Sequence, residues 1–143
     1  MSNVQSAFSE DEINRFTSDY VRHTDLIFQT VFGVCLSHSK SMEFTYSTFA
    51  HLSAEMTKSL ASPNPKLHCL TVLSRLIMGD KLEIAPANQD RNRLLASLSQ
   101  DARLILTLVD FTGLLVDEVA QALDLDAAKV RKLLANAREK LTN

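Results

Sequence analysis

The residues of this chain best suited to chemistry crowd into its last helical stretch. Lys129, Arg131, Lys132, Arg138 and Lys140 fall within residues 127–143 with one acid, Glu139, among them, and Asn136 lies in the same run. Cationic side chains strung along a helix are a means of holding nucleic-acid phosphates. The same pattern also serves as a plain solvated face. The chain as a whole is not basic: its net charge is −2 and its pI is near 6.1. Residues 1–80 hold six Lys and Arg against eight Asp and Glu. That balance disfavours a general nucleic-acid binder and leaves the last helix as the one candidate DNA contact.

Other chemistry finds no constellation. The four histidines, His23, His38, His51 and His68, lie on different segments. Cys35 and His38 stand three apart, and His68 and Cys69 are adjacent, but neither pair has a second half at zinc-finger spacing. No Gly-rich phosphate loop is present. Asp117-Glu118 reads as a pair of acids in the first turn of a helix, where the dipole favours them, and not as a catalytic dyad. The expectation is a protein that is not an enzyme and uses no metal or cofactor. Cys35 and Cys69 form no CxxC and are expected as reduced, buried thiols of a cytoplasmic protein. The polar N-terminus does not read as a signal peptide, and no apolar run is long enough to span a bilayer.

The basic run needs a scaffold to aim it. The stretch DEVAQALDLDAAKVRKLLANAREKL, Asp117 to Leu141, reads as two helices joined by Asp124-Leu125-Asp126. A helix-turn-helix needs a small residue at the crossing, which Ala120 supplies. It needs a turn residue that tolerates a left-handed backbone, and here that is Asp124. Val130 and Leu133 then lock the second helix onto the first. An ordinary helical hairpin would meet the same spacing. Upstream, a short helix holds Leu94 and Leu95. Ser99 caps a helix bearing Leu104, Ile105, Leu108 and Val109, which Gly113 ends.

The first half is also helical by pattern. Ser9 and Glu12 form a capping box. Ile13, Phe16, Tyr20, Ile27, Val31 and Val34 follow at helical spacing. The pattern fades at Ser37-His38-Ser39. Residues 41–60 carry Phe49, Leu52, Met56 and Leu60 on a helical face; Phe44-Thr45-Tyr46 alternates as a strand would, but its neighbours favour helix. Ser62-Pro63-Asn64-Pro65 breaks the chain. A helix from Lys66 to Met78 ends at Gly79. With only three Gly, three Pro and 45% hydrophobic residues, the fold expected is all-α. Two small helical lobes, residues 1–80 and 94–143, are joined by a linker at 81–93 that should act as an exposed hinge.

The stretch LSQDARLILTLVDFTGLLVDEVAQALDLDAAKVRKLLANAREKL, Leu98 to Leu141, resembles region 4 of extracytoplasmic-function (group IV) sigma factors. Leu98, Arg103, Gly113, Leu114, Glu118, Val119, Ala120, Leu123, Val130, Arg131, Leu134, Ala137, Arg138 and Leu141 stand at the family's positions. The first lobe is similar, more weakly, to region 2, through DYVRHTDLIFQTVFGVCLSH and through Leu70, Leu73, Arg75 and Asp80 of LTVLSRLIMGD. The resemblance implies a transcription regulator that binds promoter DNA through Lys129, Arg131, Lys132, Asn136, Arg138 and Lys140. It implies RNA polymerase, or another protein, as partner of the first lobe, through Phe44, Tyr46, Phe49 and Met56.

The departures from the family pattern point elsewhere. The acidic run that docks on polymerase is here Ser41-Met42-Glu43-Phe44-Thr45-Tyr46-Ser47, with one acid. Cys69 stands near an expected Trp, and Leu133 and Asn136 replace arginines. Residues 60–80 hold no aromatic and only two cations, Lys66 and Arg75, although melting a duplex needs aromatic platforms and a cationic track. Asp126 at the start of the last helix is a poor neighbour for phosphate. The alternative reading is a sigma mimic that binds an anti-sigma protein or another regulator without melting promoter DNA.

Overall fold

The computed structural model describes residues 8–90 and 92–142, and these form helices and turns with no strand among them. Helix α1, Glu10–Tyr20, begins where its capping box puts it: the Glu12 N–H donates to Ser9 Oγ at 3.1 Å and the Ser9 N–H to Glu12 Oε1 at 3.0 Å. It does not run on to Val34. One 3₁₀ turn, Val21–His23, separates it from α2, Thr24–Cys35. Phe16 and Tyr20 of α1 and Ile27, Val31 and Val34 of α2 enter the core as the spacing predicts. Ile13 is 45% exposed, because only the later turns of α1 reach the core.

Helix α2 stops at Leu36, whose φ of 55° is left-handed. Ser37 then caps α3, His38–Ala54, so residues 44–46 are helical and not extended. After α4, Met56–Ala61, Asn64 caps α5, Pro65–Met78, with Pro65 in the first turn where its missing N–H costs nothing. Tyr20 of α1 donates its hydroxyl to the Ser59 carbonyl of α4 at 2.5 Å.

The segment expected as an exposed linker is partly buried. Residues 81–85 run extended, and their side chains alternate: Lys81, Glu83 and Ala85 face solvent while Leu82 and Ile84 are buried. That is the period of an extended chain lying on a core. Two single turns follow, α6, Pro86–Gln89, and α7, Arg93–Ala96. Gln100 fastens the segment: its amide donates to the Ile77 and Asp80 carbonyls at 2.7 and 3.0 Å, and its carbonyl accepts the Leu82 N–H at 3.0 Å.

Ser99 caps α8, Gln100–Leu106, which widens into a π-helical turn at Thr107–Phe111. Every residue from Ala102 to Leu108 is buried, so α8 is wrapped on all sides and cannot be the surface helix of a separate lobe. On one side α8 meets α2 closely. A Cβ on Gly33 would sit 2.4 Å from the Thr107 side chain, so only glycine admits this approach. Helices α9, Val116–Leu123, and α10, Ala127–Thr142, complete the fold, with α9 also against α5. One continuous apolar cluster runs from Phe16 to Ala137 through both halves. Cys35 and Cys69 are unpaired and buried within it, and burial pushes the Cys69 thiol up to about 12.

Candidate functional site

The helix-turn-helix forms as its spacing requires. Asp124 takes the left-handed conformation, φ 55°, and the Leu125 N–H donates to the Ala120 carbonyl at 2.9 Å. The next helix opens with the Val130 N–H on the Asp126 carbonyl at 3.0 Å. Val130, Leu134 and Ala137 face inward and all six candidate DNA contacts are exposed. They do not form one group. Lys129, Lys132, Asn136 and Lys140, at offsets of three, seven and eleven, share one side of α10, and none of these lysines has a carboxylate at ion-pair distance among the described residues.

Arg131 and Arg138 lie on the flank and are engaged within the protein. Arg131 stands 3.7 Å from Asp117 of α9, a weak exposed pair. Arg138 forks onto Asp110 in the π-helical turn, Nε to Oδ2 at 3.0 Å and Nη2 to Oδ1 at 2.5 Å. The guanidinium holds the Asp110 carboxyl below the usual carboxylate range. Asp124 and Asp126 are exposed at the start of α10, which lowers the positive potential there.

The four first-lobe residues also divide. Phe44 is 7% exposed and is core, which corrects its reading as a contact residue. Tyr46 is 80% exposed. Two helical residues apart point roughly 200° away from each other, so both could not share a face. Tyr46 and Phe49 line a shallow cleft of about 490 Å³ with Phe16, Val21, Ala50 and Ser53. Met56 lies outside that cleft, half-buried against the core.

A larger apolar groove, of about 510 Å³, joins the two halves. Phe28, Phe32 and Leu36 of the α2 segment form one wall, and Leu95, Thr107 and Phe111 the other. Phe28 and Phe32 lie near-parallel with centroids 6.4 Å apart, and His38 meets Phe28 edge-on at 5.2 Å. Phe111 is 72% and Phe32 40% exposed. The π-helical turn, with its extra residue per turn, sets the backbone from which Phe111 projects. Sequence reasoning missed this site. The available signal was Phe28 and Phe32, four apart and off the Ile27–Val31–Val34 stripe, together with an aromatic just before Gly113. A second, more polar crevice of about 530 Å³ lies between α5 and α9, lined by Thr71, Ser74, Arg75 and Met78 against Gln121 to Asp124.

The family model for sigma-70 region 4 matches residues 92–141. Among solved structures, the anti-anti-sigma factor PhyR of Bartonella quintana complexed with the anti-sigma factor NepR has the same fold. Its TM-score is 0.71 at 18% identity, over 87% of this chain and 48% of that one. PhyR of the same organism by itself gives a TM-score of 0.67 at 18% identity, over 90% and 47%. The chain spans about half the length of these solved chains. A sequence comparison with curated proteins found no match.

Proposed function

Starting from a chain whose residues 92–141 match the family model for sigma-70 region 4, we propose that it works as a sigma mimic. It keeps the paired shape of regions 2 and 4, is bound by an anti-sigma type of protein, and does not melt promoter DNA. It would act in the cytoplasm and carry out no catalysis of its own. The observation that carries this reading is the apolar groove whose two walls come from the two halves. Exposed Phe32 and Phe111 suit the apolar face of an amphipathic helix. Such a groove exists only while the halves stay together, which suits a partner that reads both. The shared fold with PhyR, solved in complex with an anti-sigma factor, supports the same partner class.

Titration calorimetry of the full chain with a NepR-type anti-sigma protein tests the proposal. Phe32→Ser with Phe111→Ser should weaken binding by about tenfold to a hundredfold, the effect of losing central aromatic anchors. Unchanged affinity in a double variant of normal helicity would refute the groove. Permanganate footprinting with core RNA polymerase should show no open complex from this chain alone. Clear reactivity would restore a full sigma factor.

One observation favours a second reading, promoter DNA binding by α10: Lys129, Lys132 and Lys140 share an exposed side with no carboxylate partner among the described residues. On this reading, Lys129→Ala with Lys132→Ala weakens binding to any sequence. The log–log salt slope then falls by roughly one unit for each phosphate no longer neutralised. Unchanged affinity assigns the stripe to solubility.

A further inference from the structure

Arg103 is a cation placed where none is needed for packing. It lies on α8 in the middle of the core, 6% exposed, with no carboxylate at ion-pair distance among the described residues. Its guanidinium fork donates to three backbone carbonyls: Nε to Val34 at 2.6 Å, Nη1 to Leu98 at 2.6 Å and Nη2 to Leu82 at 2.7 Å. The three acceptors belong to three separate segments. Val34 lies in the last turn of α2, where the last carbonyls have no helical partner and the dipole favours a cation. Leu82 is a buried residue of the connector, and Leu98 precedes α8.

We propose that Arg103 is the latch of the closed arrangement: the two halves stay together, with the connector seated between them, only while this one side chain satisfies all three carbonyls at once. Each carbonyl is buried by closure and would be left unsatisfied without the fork. On opening, water takes over the three carbonyls and rehydrates the charge, so the open arrangement loses little polar interaction. Closure is therefore conditional on Arg103 in a way it is not on any single apolar residue. The groove follows from it, because Phe28 and Phe32 lie on one side of the seam and Leu95 and Phe111 on the other. Arg103 is thus a positioning residue for the partner, with no contact to it. Only this last consequence rests on the proposed mimic function; the latch itself is a property of the free chain.

Residue-resolved hydrogen exchange on the full chain reads the latch without any partner. Arg103→Lys keeps the charge but presents a point donor that cannot span three carbonyls. Arg103→Met keeps the bulk and removes every donor. In both, amides of the connector and the α7 turn, such as those of Asn88, Asn92 and Ser97, should exchange faster by at least about tenfold, the equivalent of one hydrogen bond to a charged group. Amides of Thr45 and Thr48, inside α3, should keep their rates. Equal acceleration at all these amides would make Arg103 an ordinary stabilising residue and overturn the proposal, and so would no acceleration at the connector. If Arg103→Met does not fold, the same two comparisons in Arg103→Lys decide.

Discussion

Gly33→Ala separates two opposed expectations at the seam between the halves. Gly33 is in the interior of α2, and helix propensity alone predicts that alanine stabilises it by about 1 kcal/mol. The packing predicts the reverse. The new Cβ would lie 2.4 Å from both Cγ2 and Oγ1 of Thr107 and 2.9 Å from its Cβ. Carbon atoms in good contact stand at about 3.5–4.0 Å, so α2 and the π-helical turn that follows α8 must part by roughly 1 Å. Thr107 cannot swing aside freely: it is 1% exposed and its hydroxyl donates to the Arg103 carbonyl at 2.7 Å. Overpacking of this severity costs about 3 kcal/mol, the upper end of the usual range. The net loss is then about 2 kcal/mol, or a fall in Tm of roughly 6 °C for a chain of this size. Thermal and urea unfolding followed by circular dichroism measure it. Thr107→Ala removes the two shortest contacts, so the double variant should be more stable than the sum of the single losses by about 1 kcal/mol. A Gly33→Ala protein as stable as the parent, or more so, would show that the seam is loose enough to take a methyl group.

Arg138→Ala tests the fork on Asp110. Arg138 lowers the Asp110 pKa in the folded chain, so the pair stabilises above the unfolded carboxylate value, about 3.9, and that stabilisation disappears as pH falls through the lower folded value. Urea midpoints of parent and variant should therefore differ at neutral pH and converge in acid; a constant difference would assign the effect to packing. Ser74→Ala tests the crevice beside α9. The Ser74 hydroxyl is buried with no hydrogen-bond partner among the described residues, so its removal should be neutral or stabilise by up to about 1 kcal/mol. A loss larger than that in urea unfolding would mean that the hydroxyl is satisfied.

Local signals carried most of the helix boundaries. Ser9, Ser99 and Asn64 cap the helices that follow them, Gly79 closes α5, and Asp124 takes the left-handed turn that the helix-turn-helix needed. Each depends on residues within four positions. Most of the failures are long-range. DKLEIAP reads as polar, yet Leu82 and Ile84 alternate with polar neighbours, and only the core beneath them reveals which face is inward. Arg103 matched the sigma pattern as a region 4 residue, but one of its acceptors, Val34, is 69 positions away in the first half. Arg138 looks free along α10 because Asp110 lies 28 positions before it. Phe44 and Tyr46 differ for a reason the sequence did contain, since residues two apart on a helix cannot share a side.

The two buried thiols give this fold its own pair of clocks. A thiol reacts with an alkylating reagent as thiolate and only when reached, so at Cys35 and Cys69 the reaction waits for the protein to open. The two wait for different events. Cys35 is the neighbour of Val34, whose carbonyl Arg103 grips at the junction, while Cys69 lies on α5, deep in the apolar cluster and fully buried. On the latch proposal, labelling at Cys35 is expected to follow the parting of the halves, and labelling at Cys69 the wider opening of the apolar cluster. The ratio of the two rates, in the native sequence and with no probe introduced, measures how independently one half can leave the other.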